Sequence, residues 1–292
     1  MGILPTVKII HDPTKDAEAF VSFIWHGYFV QNREKILKIY PELTDILNES
    51  EPKRKVIKFV ISLHQSKKEK LIRVIKHNQD IIKKKGNEAF IFLGRFMDYL
   101  WPRPIEYSAY LSLLPFSPFK KNSFFYSVLA ELNEKNQENK SILSTAIHEI
   151  SHIIFLGYLE KAGYNSGVNV SKDIVYILQE CITAGIFKNS KLLSLLDMTQ
   201  PPRGNPEIAE LYVIEESNNI ILVDFVDEFI ANNKKRGVKM EEIVKKLLKI
   251  FILMGDQLTE KMNIWRKYGY LIFKDRKFLD EFKTPLSLDP CE

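Results

Sequence analysis

Two stretches in the middle of the chain break a helical pattern that governs most of the rest. Residues 107–114 (Tyr-Ser-Ala-Tyr-Leu-Ser-Leu-Leu) and 123–129 (Ser-Phe-Phe-Tyr-Ser-Val-Leu) are aromatic and β-favouring. Pro115, Pro118 and Lys120-Lys121-Asn122 between them predict a turn or loop. Elsewhere apolar positions recur every three or four residues. Val56, Ile57, Phe59, Val60 and Leu63, then Leu71, Ile72, Val74 and Ile75, predict amphipathic helices ahead of the strands. Residues 220–231 and 240–258 predict more helices after them, with a polar loop at 232–237. Asn205-Pro206-Glu207 reads as a helix start, with Asn205 as cap, Pro206 in the first helical position and Tyr212 in the second turn. The pattern predicts an α+β protein, mostly helical, with a small mixed sheet. Its N-terminal lobe covers residues 1–165, with basic helices, sheet and a central helix. A helical lobe covers 166–292.

The segment from Leu143 to Leu159 carries the chemistry. Leu143, Ala146, Ile147, Ile150 and Ile154 form an apolar stripe, and His148 and His152 lie roughly opposite it, flanked by Ser144, Thr145 and Ser151. Phe155, Leu156 and Leu159 then make the helix apolar nearly all round, which predicts burial of its C-terminal half. The string His148-Glu149-Ile150-Ser151-His152 places two imidazoles one turn apart with a carboxylate beside them. Two histidines at this spacing suit a single zinc ion, and the glutamate suits the general base of a hydrolase.

A catalytic zinc site takes three protein ligands and keeps an open position. None of the six histidines follows His152, and the positions three and six residues on are Phe155 and Tyr158, which excludes the metzincin pattern. The next predicted helix runs from about 172 to 187, capped by Ser171. Within it Ile174, Val175, Ile177, Leu178, Cys181, Ile182, Ala184 and Ile186 leave Glu180 as the one interior charge. A lone carboxylate in an apolar helix calls for a cation, so Glu180 is the expected third ligand. Asp173, the competitor, fits an ordinary first-turn acid.

The string 147–152 followed by Leu178-Gln179-Glu180-Cys181-Ile182-Thr183-Ala184 resembles the gluzincin branch of zinc metallopeptidases, over about residues 105–216. The resemblance implies a zincin-like fold with an active-site helix and one Zn2+ per chain on His148, His152 and Glu180. Ala184 would be the small residue that lets the two helices pack closely. It implies hydrolysis of peptide bonds in a peptide or protein substrate by metal-activated water, with Glu149 as general base. It also implies an oxyanion donor from a later segment. With no later histidine this is a tyrosine, Tyr212 first, with Tyr176, Tyr268, Tyr270 or none of them as alternatives and a buried structural tyrosine as the competing reading. Residues 123–129 are either the sheet edge that pairs with an extended substrate or a core strand with no such role. Two other readings stay open: a zinc hydrolase acting on a non-peptide substrate, and a non-catalytic zincin-like binding protein. The intact Glu149 argues against the second.

Composition adds a compartment and a partner surface. Two cysteines, Cys181 in an apolar helix and Cys291, do not form a disulfide framework, and no leader or membrane span is read, so a cytoplasmic protein is expected. Gly2 and Thr6 fit a myristoylation pattern only loosely. Residues 51–86 hold twelve Lys or Arg against three acids, a balance of +9 in a chain whose total is +5. Solvated lysine-rich helix faces explain this, and the alternatives are an acidic partner, nucleic acid or an anionic membrane surface; the region contains no nucleic-acid motif with interleaved aromatics.

Overall fold

The computed structural model describes residues 4–26, 30–132, 141–202, 204–215 and 218–288. Gly2 and Cys291 lie outside them. The protein is α+β, mostly helical, with one four-stranded mixed sheet and one two-stranded sheet. Contacts divide it into two units, Met1–Ile91 with Trp101–Glu149 and Phe92–Leu100 with Ile150–Glu292.

The first unit opens with β1 (Thr6–Ile10) and five helices: α1 (Pro13–Ile24), α2 (Val30–Ile39), α3 (Glu42–Leu47), α4 (Pro52–Ser66) and α5 (Lys68–Phe96), whose last residues belong to the second unit. Then come β2 (Glu106–Ser112), β3 (Phe119–Lys120), β4 (Ser123–Ser127), α6 (Leu129–Leu132) and the start of α7 (Ile142–Lys161). Alternation sets the sheet: Tyr107, Ala109 and Leu111 on β2 and Phe124 and Tyr126 on β4 are buried, while the residues between them face outward. The strand order is β1-β2-β4-β3, parallel except for the β3–β4 pair. The long helical segment between β1 and β2 supplies the crossover their parallel pairing needs.

A buried carboxylate fastens these layers. Asp16 of α1 accepts from His64 Nε2 of α4 at 2.9 Å, from the Leu113 N–H at 2.9 Å and from the Ser112 hydroxyl. His64 Nδ1 lies 3.1 Å from Nε2 of His11. Tyr40 donates to the Leu113 carbonyl at 2.7 Å.

Strand β4 is interior to the sheet. β2 pairs along one side; on the other, the Phe125 N–H donates to the Pro118 carbonyl at 2.7 Å and the Ser127 N–H to Ser117 Oγ at 3.1 Å. The reading of 123–129 as a free edge for substrate is therefore corrected, because the returning segment 117–120 already occupies those donors.

The second unit is built around α8 (Lys172–Phe187), followed by α9 (Ser190–Leu195), α10 (Pro206–Ala209), the hairpin β5 (Tyr212–Glu215) and β6 (Asn218–Ile221), α11 (Leu222–Lys235), α12 (Met240–Leu253), α13 (Gly255–Tyr268), a 3-10 turn over Gly269–Lys274 and α14 (Arg276–Lys283). Helix α8 packs against α9, α10, α11, α12 and α13. Ser171 caps it, accepting from the Asp173 N–H. Helix α7 ends at Gly163, whose φ of +80° turns the chain back so that the Tyr164 N–H reaches the Leu159 carbonyl at 2.9 Å.

Contrary to the expectation that no stretch is apolar enough for a membrane span, α7 is long and apolar enough to cross one, but 72% of its most apolar part is buried inside the protein. Leu143, Ala146, Ile147, Ile150, Ile154, Phe155 and Leu159 are all buried, as expected of a core helix. Cys181 is a free, fully buried cysteine.

Candidate metal centre

His148 and His152 are related by one turn of the unbroken helix α7, so the backbone alone holds their rings on one face. Ser141 starts that helix, its hydroxyl accepting from the Ser144 N–H at 3.2 Å. Helix α8 brings Glu180 to the same place. One ligand atom from each of His148, His152 and Glu180 lies within 4.8 Å of the others. Glu180 Oε1 is 3.4 Å from His152 Nε2. That is long for a hydrogen bond. It matches the separation of about 3.4 Å between two ligands of a tetrahedral ion bonded at about 2.0–2.1 Å. The donor set of two imidazoles and one carboxylate fits zinc.

The far side of His152 is also arranged. Its Nδ1 lies 3.3 Å from Thr183 Oγ1, and that oxygen is 2.7 Å from Ser151 Oγ. With Nδ1–H donating to Thr183, the lone pair of His152 sits on Nε2, facing Glu180. Histidines that ligate metals are held this way by a partner on the other ring nitrogen. His152 is 2% exposed, and Thr183 and Ser151 are as deeply buried, so water does not compete for these bonds. Glu149 is 5% exposed, with its Oε1 3.9 Å from His148 Nε2. The His148 side chain is 33% exposed, which leaves this side of the group open to solvent.

Asp173, Tyr176, Glu180 and Thr183 follow one another at spacings of three and four, a polar stripe along an otherwise apolar helix. Each has its own partner. Asp173 pairs with Arg266, which makes it a structural ion pair rather than a member of the metal group. Tyr176 donates to Glu207 Oε1 at 2.7 Å and accepts from Asn205 Nδ2 at 3.0 Å.

Asn205 thus spends its side chain on Tyr176 and makes no side-chain cap on α10, which is only four residues long. Tyr212, expected in the second turn of that helix, is instead the first residue of β5, opposite Ile221, with its carbonyl accepting from the Leu286 N–H at 2.8 Å. The cross-strand and Leu286 bonds, both distant in sequence, decide its conformation. Thr183 and Ser151 are the residues that the sequence reading quoted without giving them a role. The signal was a hydroxyl three positions after Glu180 on the polar stripe.

No protein-family model, curated protein or solved structure matches this chain significantly.

Proposed function

We propose that this chain is a zinc-dependent hydrolase of the gluzincin kind, acting on peptide bonds. The convergence of His148, His152 and Glu180 with the buried Glu149 next to them carries the reading. The three side chains would hold one Zn2+, whose chemistry when bound is Lewis-acid polarisation of a carbonyl and acidification of water. Glu149 would take the proton from the attacking water and hand it to the leaving amine. Thr183 keeps His152 in the tautomer that presents Nε2. Tyr212 remains the proposed oxyanion donor, and Tyr212→Phe, which removes only the hydroxyl, is its direct test: turnover falls while metal content holds.

The deciding experiment measures zinc per chain by plasma mass spectrometry, together with chelator-sensitive cleavage of a peptide library. Wild type should carry about one zinc. Glu180→Ala should lose it, and Glu149→Gln should keep it while losing about 100-fold or more in turnover. Wild type that takes up no zinc when zinc is offered overturns the site. Full turnover by metal-loaded Glu149→Gln overturns the role of the base.

A further inference from the structure

An open depression of about 450 Å³ lies against α5 and α6 in the first unit, lined by Lys70, Arg73, Val74, His77, Glu131 and Leu132. Lys70, Arg73 and His77 stand at spacings of three and four on α5, so one helix face presents all three. They are exposed, and among the described residues no carboxylate pairs with Lys70 or Arg73. Glu131, the one acid among the described lining residues, is already engaged from within the protein. Asn78 Nδ2 donates to both oxygens of Glu131, at 3.2 and 3.0 Å, and the Tyr126 hydroxyl donates to Oε1. Burial raises the Glu131 pKa, against the lowering effect of the Tyr126 and Asn78 hydrogen bonds. Beside it the buried Asn78 Oδ1 has no donor among the described residues. Val74 and Leu132 supply apolar wall.

We propose that this pocket binds a small phosphate monoester, its phosphate on Lys70, Arg73 and His77 and a hydroxyl or amino group of its organic part donating to the polar cluster around Glu131. Two fixed cations and an imidazole on one face suit the double charge and three terminal oxygens of a phosphate monoester better than the single charge of a carboxylate. The depression continues past the cations to the apolar Val74 and Leu132, which gives an organic part somewhere to lie, hence an ester. The excess of cations over residues 51–86 would draw such a ligand in. The metal centre plays no part in this argument.

The test is calorimetric titration of the full chain, in phosphate-free buffer, with AMP, glucose 6-phosphate and glycerol 3-phosphate. Adenosine, glucose and glycerol serve as controls, and vesicles bearing phosphatidic acid present the same headgroup on a membrane. At least one soluble ester should bind saturably at one per chain while its dephosphorylated parent does not. Arg73→Ala and Lys70→Ala should each weaken it at least about tenfold. Lys84→Ala, which removes an exposed lysine of the same helix outside the lining, should leave it unchanged. No soluble ester binding more tightly than about 1 mM overturns the proposal. So does binding confined to the vesicles, or an equal loss in Lys84→Ala.

Discussion

Thr183 shows how much a single hydroxyl holds. It touches the Nδ1 of His152 and the hydroxyl of Ser151, and all three groups are sealed from water. Thr183→Val keeps the shape and removes both bonds. The Ser151 hydroxyl loses one hydrogen bond, at a cost of about 0.5–1.5 kcal/mol in stability. On the metal reading, His152 is also free to adopt the wrong tautomer, and zinc affinity should fall about 10- to 100-fold. Competition against a fluorescent chelator reads this directly, and Thr183→Ser should restore most of it. An unchanged zinc affinity in Thr183→Val would confine the residue to packing.

Between elements, the Asp16 cluster does comparable work without any metal. Its carboxylate joins α1 to α4 through His64 and to the end of β2 through Ser112 and Leu113, all fully or nearly fully buried. Asp16→Ala removes the acceptor and strands three donors, so about 3–5 kcal/mol of stability should be lost. Urea unfolding followed by circular dichroism measures it; a loss below about 1 kcal/mol would show that water replaces the carboxylate. Nothing in the sequence pattern pointed to this cluster, because residues 11, 16, 64 and 112 meet only once the chain has folded. The elements that were legible are those whose signal is local. Helix α8 begins after the Ser171 cap and spans 172–187 as expected, and α7 buries the apolar stripe read from its periodicity. The short elements were not legible. Residues 212–215 become a strand through β6 and Leu286, and the helical pattern over 240–258 hides a break at Met254, next to Gly255, where a Cβ would come 3.1 Å from Ile174 Cδ1 of α8. Of the candidate site, His148, His152 and Glu180 could be read as a set because each sits in a long helix with a strong period; the hydroxyls behind them depend on how α7 and α8 pack.

For the molecule as a whole, His11 and Glu131 pull the pH dependence of stability in opposite directions. The pKa of His11 is lowered, first by burial and then by His64 and Lys68, against the raising effect of Asp12 and Asp16. The unfolded chain therefore binds more protons at this site than the folded one between the folded pKa and 6.5. Stability from His11 is complete above 6.5 and is lost as pH falls through that window. Glu131 behaves in the reverse sense. Burial raises its pKa above 4.5, outweighing the Tyr126 and Asn78 hydrogen bonds and the nearby His77. The folded state then holds the extra proton, and stability falls as pH rises from 4.5 through the folded pKa. The wild-type urea midpoint should therefore carry both slopes. His11→Gln should flatten the acid side and leave the fall above 4.5 in place; Glu131→Gln, which stays uncharged at every pH, should remove that fall and gain on wild type as pH rises. A Glu131→Gln protein whose deficit against wild type grows with pH would mean that the carboxylate is stabilised as the anion, with the Asn78 and Tyr126 bonds outweighing burial.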